Sequence, residues 1–293
     1  MGVFDRFRRG PRTGGATVLT ALATATGDAQ AHTFSYPGVD VLAYFVDTPL
    51  PHVLYCTYGL SQVESSQRIA GTQTELTLRV PDNSDALPPQ WPADQLARMA
   101  RNVRRSGVDI EPGHHVSFDS GALSGFVFTG DPVLGQVDGP TGRIQFTYGV
   151  GLNGDDLERM LRWDPLKFAT LLGDLYPLGL TDPARAPLST DDKVRLLLDD
   201  TANAEGSSIG AATAKYLEVD TAGRVDLDER AASALLRAAR YRARFGKPFA
   251  LVSDDAWLRL GPGAQFEADD AHVQLPATPE LVNELLATFD DAP

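Results

Sequence analysis

The sequence predicts an α+β protein of two domains, and three features carry that expectation. Residues 39–46 and 53–60 are apolar strand-like runs separated by the turn-prone Asp47-Thr48-Pro49-Leu50-Pro51. Leu96, Met99, Ala100 and Val103 fall at i, i+3, i+4 and i+7, with Gly107 as a stop, so an amphipathic helix follows the early strands. At 293 residues the chain exceeds a usual single domain, and beyond Leu188 its pattern changes to helix, hairpin, helix, hairpin, helix. The expected divisions are an N-terminal helical extension over 1–34, a main domain over 35–188 and a small acidic α+β domain over 189–293.

Taken in order, Ala16-Thr17-Val18-Leu19-Thr20-Ala21-Leu22 reads as an amphipathic helix. Arg6, Arg8, Arg9 and Arg12 precede it and Ala29-Gln30-Ala31 follows, but the apolar run is short and broken by threonines, unlike a secretory core. Arg6 stands where an acylation signal after Gly2 needs Ser or Thr, and no apolar run approaches a membrane span. Thr74 to Val80 alternates, with Leu76, Leu78 and Val80 on one face and Glu75, Thr77 and Arg79 on the other, which predicts a half-buried strand. Pro81 to Pro89 is a polar, rigid connector, and Trp91 is expected to anchor it on the core.

Strands are expected again around residues 115–118, 125–129 and 143–148, bounded by Gly130-Asp131-Pro132 and Asp138-Gly139-Pro140-Thr141-Gly142. Asp155 and Asp156 suit a helix N-terminus. Asp164-Pro165 supplies a cap and first-turn proline for the next helix, whose stripe is Phe168, Leu171, Leu172 and Leu175. Helices are expected at 191–198, 229–245 and 279–289, the last with Val282, Leu285, Leu286 and Phe289 inward; residues 199–206 read as a linker-like break.

Hydrophobic residues make up 43% and charged residues 22%, the balance of a folded soluble chain. The net charge of −13 is uneven: residues 1–105 carry 10 basic and 9 acidic side chains, residues 106–293 carry 16 and 30. Such a surface serves solubility first and would favour a basic partner; it repels phosphate backbones, so nucleic acid is not expected to bind, and with no span-length run neither is a membrane. Cys56 is the single cysteine, which excludes an intrachain disulfide and fits a reducing cytoplasm; inside an apolar run it reads as a small buried hydrophobe.

Signals for catalysis are thin. His114 and His115 are adjacent, so on a strand they point to opposite faces and do not chelate one ion together. One of them with Asp119 is the basis of an alternative reading, a metal-assisted hydrolase, but two ligands do not define a site. There is no phosphate loop, dinucleotide fingerprint or Gly-x-Ser-x-Gly turn, and no cofactor is expected. Gly149-Val150-Gly151-Leu152-Asn153-Gly154 begins like a GxGxxG element but lacks the acidic residue a second strand would carry, so its glycines read as turn formers. Arg98, Arg101, Arg104 and Arg105 read first as cations offsetting the helix dipole, and only secondarily, without interleaved aromatics for stacking, as a basic ridge for an acidic toxin or nucleic acid.

A train of short signatures runs in fixed order from Tyr55 to Arg185. It comprises Tyr55-Cys56-Thr57-Tyr58-Gly59-Leu60-Ser61, Glu75-Leu76-Thr77-Leu78-Arg79, Pro88-Pro89-Gln90-Trp91-Pro92, Gly113-His114-His115-Val116-Ser117, Asp131-Pro132, Thr141-Gly142 and Thr181-Asp182-Pro183-Ala184-Arg185. Together these resemble the suppressor of fused family over roughly residues 35–188, and the resemblance ends after Leu188. It implies a mixed β-sheet flanked by helices, and a protein that binds another protein without turnover. Animal members accept a peptide as an added strand; bacterial members resemble immunity proteins that neutralise toxins. The expected function is therefore a non-catalytic module holding a partner protein such as a toxin, with a regulatory scaffold as the other binding role. The candidate contacts are the polar signature residues Asp119, Arg143, Asp182 and Arg185, while Tyr58, Gly59 and Trp91 are assigned to the fold.

Overall fold

A computed structural model describes residues 13–27, 29–61, 72–83 and 86–290. The chain forms two compact units; the first ends at Gly154 and takes back Ala169–Arg185, and the second comprises Asp155–Phe168 and the chain from Ala186.

In the first unit α1 (Thr13–Thr26) precedes β1 (His32–Tyr36), β2 (Val39–Val46), β3 (His52–Tyr58) and β4 (Thr72–Pro81). Helix α2 (Trp91–Ser106) follows, then β5 (His115–Ser120), β6 (Leu123–Gly130), β7 (Gln136–Gly139) and β8 (Gly142–Leu152). The strands make one sheet in the order β1-β2-β3-β4-β8-β6-β5, with β7 on the first residues of β8. Pair β4–β8 is parallel and the other pairings of this sheet are antiparallel, so the sheet is mixed as the family resemblance implied.

Both faces of the sheet are covered. On one, Leu96 and Met99 of α2 pack on Val41, Tyr55, Leu76, Leu78, Phe126 and Phe128, with Trp91 against the same cluster. On the other, Val18 and Leu22 of α1 pack on Leu42, Leu54, Cys56 and Phe146. Helix α2 ends where the sequence puts its stop: Gly107 has φ 69° and its N–H donates to the Val103 carbonyl at 2.8 Å.

In the second unit α3 (Gly154–Arg162) and the start of α4 (Pro165–Leu175) belong with α5 (Asp192–Glu205), β9 (Ala211–Thr213), β10 (Leu217–Val219) and β11 (Val225–Leu227). Then come α6 (Glu229–Tyr241), β12 (Phe249–Val252), β13 (Trp257–Gly261), β14 (Glu267–Ala268), β15 (His272–Pro276) and α7 (Pro279–Asp290). A five-stranded sheet runs β14-β15-β13-β12-β9, beside a β10–β11 ribbon. Its core is Leu235, Ala238 and Ala239 of α6 against Phe249, Leu251, Leu258, Leu260 and Val273.

Several local expectations change. The division falls within the stretch 155–185 rather than after 188, because α3 is bonded inside the second unit: Asp156 accepts from Leu188 N at 2.9 Å, and Leu161 O accepts from Ser207 Oγ at 2.9 Å. Residues 199–205, expected as a break, continue α5, since Leu198 and Ala202 share a buried face and Asp199 pairs with Arg159 at 2.7 Å; Gly206 ends the helix. Leu175, expected inward, is 43% exposed, and the Phe289 side chain lies outside the described residues. Asp164 does cap α4, accepting from Lys167 N at 2.9 Å.

Gly149 and Gly151 are not turn formers; both lie inside β8. Glycine is needed there for close approach, since a Cβ at 149 would meet Phe128 at 3.1 Å and one at 151 would run into the Thr181 methyl. Thr181 is held in place because its Oγ1 accepts from Gly151 N at 2.8 Å. Gly151→Ala is therefore expected to cost about 1–3 kcal/mol by overpacking. Urea unfolding of the variant checks this, and a midpoint equal to the parent's refutes it.

Candidate functional site

Side chains along β4 alternate as the sequence indicates, but the polar face does not meet solvent. Glu75, Thr77 and Arg79 are 0%, 0% and 1% exposed. The reason is topological: β4 lies between β3 and β8 in mid-sheet, where both faces are covered, and an antiparallel edge position would have left this face wet. A buried charge is tolerated only when paired and hydrogen-bonded, so each of the three has gathered partners from distant segments.

Arg79 and Asp131 make a two-pronged ion pair, Nη1–Oδ2 at 2.8 Å and Nη2–Oδ1 at 2.9 Å. Thr77 Oγ1 donates to Asp131 Oδ2 at 2.6 Å, and the N–H groups of Val133 and Leu134 donate to Oδ1 at 2.9 Å. Burial alone would raise the Asp131 carboxyl, but the Arg79 guanidinium and these donors hold it below the usual range. Arg79 also lies over the Tyr148 ring, 4.9 Å from its centroid, while Tyr148 OH donates to Gly179 O at 2.7 Å and Thr181 N to Arg79 O at 2.8 Å.

Glu75 forms a second cluster two residues earlier. It accepts from Thr57 Oγ1, from Gly59 N at 3.1 Å, and from the N–H and hydroxyl of Ser61. Desolvation pushes its carboxyl up to about 7 in spite of those donors. The signatures around Thr57, Glu75, Arg79, Asp131 and Thr181, scattered in sequence, are thus parts of two buried polar clusters on the same face of β4. They tie the end of β3, the turn after β6 and the 179–181 segment to β4. The sequence reading missed them, although charged residues at i and i+4 on a strand were their visible signal.

The candidate contact residues are spread out. Arg143 is 55% exposed and pairs with Asp138 at 3.3 Å across the β7–β8 hairpin. Asp182 accepts from Ala184 N at 2.8 Å, and the Arg185 guanidinium lies 5.1 Å from the Tyr176 ring centroid, so both shape one turn. Gly151 lies against Thr181 while Arg143 is eight residues earlier on β8, about 26 Å along a strand. Arg143 and the 182–185 turn are therefore not one patch. Asp119 stands on β5, and its side chain lies outside the described residues.

His114 Nδ1 accepts from Glu111 N at 3.1 Å, and among the described residues no three His, Cys, Asp or Glu side chains gather where one ion would be held. Cys56 is fully buried, and desolvation raises its thiol well above the ordinary value. Among the described residues no helix is long and apolar enough to cross a membrane.

A mixed sheet closed on both faces, pinned by buried polar clusters and ending in β1 and β5, defines a rigid α+β scaffold. Residues 35–186 match the family Suppressor of fused protein (SUFU), and the chain belongs to that family. It is 26% identical over 186 residues to the suppressor of fused homologs of Homo sapiens and Mus musculus, covering 56% of this chain and 38% of each relative. The chain thus matches well under half the length of those relatives. The crystal structure of Drosophila Suppressor of Fused has the same fold, with TM-score 0.73 at 18% identity over 96% of this chain and 91% of that one. A structure of the Sufu-Fu complex aligns with TM-score 0.56 at 20% identity over 64% of this chain and 98% of that one. The family match ends at residue 186, but the likeness of fold does not: coverage of 96% takes in the second unit as well.

Asp131→Ala is expected to destabilise by about 3–5 kcal/mol, because it leaves the Arg79 charge buried and unpaired, while Arg79→Met with Asp131→Leu costs less. Chemical unfolding of the three proteins decides this, and equal losses would refute it. For Glu75 the folded carboxyl near 7 lies above its unfolded value of 4.5, so the native state holds the extra proton between those pH values. Stability from this group falls as pH rises through about 4.5–7, by roughly 3 kcal/mol in all. Glu75→Gln flattens that part of the stability–pH profile; a slope unchanged in the variant would assign it elsewhere.

Proposed function

We propose that this chain is a non-catalytic module that holds another protein stoichiometrically, by adding a strand of the partner to an end of its first sheet. The observation that carries this reading is where the polar chemistry lies. Glu75, Thr77, Arg79 and Asp131 are sealed inside and bonded to one another or to local donors, with Arg79 Nε alone of their polar atoms left without a partner among the described residues, so they build a platform instead of meeting a substrate. Strand β1 lies at the sheet's end. Its two-residue turn Pro37-Gly38 pairs Tyr36 with Val39, so by antiparallel alternation Thr33 and Ser35 direct their N–H and C=O away from β2. That is the geometry strand addition uses, with main-chain bonds for affinity and alternate side chains for selectivity. Family membership supports the reading.

The partner proposed is a protein toxin, with the chain as its cytoplasmic immunity protein and Asp119, Arg143, Asp182 and Arg185 as peripheral contacts. The acidic excess beyond residue 106 supports it, since it suits a basic target. A regulatory scaffold is the second reading, favoured by the likeness to the Sufu-Fu complex.

Affinity capture with the full chain, followed by reconstitution of the purified pair, tests the proposal; a 1:1 complex is expected. Ser35→Pro, which removes one outward N–H from an edge strand, is expected to weaken that complex at least about tenfold with little change in melting temperature. Unchanged affinity rules out β1 as the receiving strand. Rescue of growth against a captured toxin selects the immunity role, whereas a cytoplasmic regulator without rescue selects the scaffold.

A further inference from the structure

The arginines of α2 are not explained by the fold. Arg98, Arg101, Arg104 and Arg105 are all exposed on a helix of a chain whose net charge is −13. Only Arg104 and Arg105 lie in the last turn, and the helix dipole acts within that turn, so it gives no account of Arg98 and Arg101. Their partners are neutral. Arg98 donates to Gln95 Oε1 and lies 5.1 Å from the Phe118 ring centroid; Arg104 donates to the Gly59 carbonyl; Arg105 donates to Asn102 Oδ1 at 3.2 Å. Among the described residues none of the four has a carboxylate in ion-pair reach. Arginines of the second unit behave differently: Arg237 of α6 pairs with Glu158 at 2.7 Å, and Arg242, just past the end of α6, is spent on the carbonyls of Ser207 and Pro248. Asp109, which follows α2, has its carboxyl pushed up by burial and then by the neighbouring Glu111.

Positions 98, 101 and 105 stand at i, i+3 and i+7, one stripe opposite the buried Leu96, Met99 and Val103. Seven residues of helix set its length at about 10 Å. We propose that this stripe is a docking surface for an acidic protein segment whose carboxylates repeat at helical spacing. The inference rests on the protein-binding reading above and names the chemistry of one partner element. A short acidic segment is favoured over a nucleic acid or an anionic bilayer because residues 106–293 carry 30 acidic against 16 basic side chains, and an extended polyanion would also meet that repulsion. The exposed fork of each guanidinium matches a carboxylate with two parallel hydrogen bonds.

The test uses the full chain and a labelled synthetic helical peptide bearing Glu at i, i+3 and i+7, followed by fluorescence anisotropy, with a Gln analogue, a short DNA duplex and anionic vesicles as competitors. Saturable binding is expected, weakening about tenfold or more on raising salt from ~50 to ~300 mM. Joint replacement Arg98→Glu, Arg101→Glu and Arg105→Glu is expected to abolish it, while Lys at the same positions, which keeps the charge but not the planar fork, is expected to weaken it about tenfold without abolishing it. Arg101→Gln alone, a milder change, should weaken it about threefold. Equal binding of the Gln analogue, an unaffected triple Glu variant, or tighter binding of DNA or vesicles would overturn the inference. If a captured partner holds the triple Glu variant as tightly as the parent, the stripe is not its seat and the protein-binding reading stands. Peptide binding without any captured partner supports the stripe and removes support from that reading.

Discussion

The paired charges of Arg79 and Asp131 set the terms for the first unit. Removing both from water costs several kcal/mol per ion, and attraction offsets this only with good geometry and further hydrogen bonds. Thr77 from the same strand and two amides from the turn after β6 supply Asp131's further bonds, and of the pair's polar atoms Arg79 Nε alone goes without a partner among the described residues. The pair therefore dictates register. A one-residue slip of β4 would carry Arg79 to the opposite face, among Leu96, Met99 and Phe128, with no counter-charge. Few alternative packings of this strand remain affordable to the chain.

Glu75 applies the same logic to the other end of the polar line. By collecting Thr57, Gly59 and Ser61 it fixes the path on which the chain leaves β3. Its donors favour the ionised form and its burial the neutral one, and burial prevails. Such clusters make a stiff platform. Stiffness matters for a protein whose proposed work is to hold another, because ordering a loose surface at the moment of contact would be subtracted from affinity. The parts that remain outside, the end strand β1 and the arginine stripe of α2, offer main-chain hydrogen bonds and charge respectively.

Much of the fold was legible in residue order. The strand runs of β2 and β3, helix α2 with its Gly107 stop, the cap at Asp164 and the burial of Cys56 all follow from periodicity and turn chemistry. The candidate contacts were less legible. Asp182 and Arg185 are occupied in shaping their own turn, and Arg143 lies on a separate hairpin. The glycines of β8 look like a nucleotide or turn motif in sequence, but their purpose is the space taken by Phe128 and Thr181, which come from elsewhere in the chain.

Sequence by itself determined the local elements, the α+β class and, through ordered signatures, the family. Those depend on spacing between near neighbours, which the chain displays directly. Tertiary structure decided that the polar face of β4 is dry, that Glu75 meets Thr57 while Arg79 meets Asp131 and the Thr181 N–H, and that the fold likeness continues past the family match. Burial is a property of position within a sheet, and alternation of polar and apolar residues is the same in a strand with one face in water as in one covered on both sides.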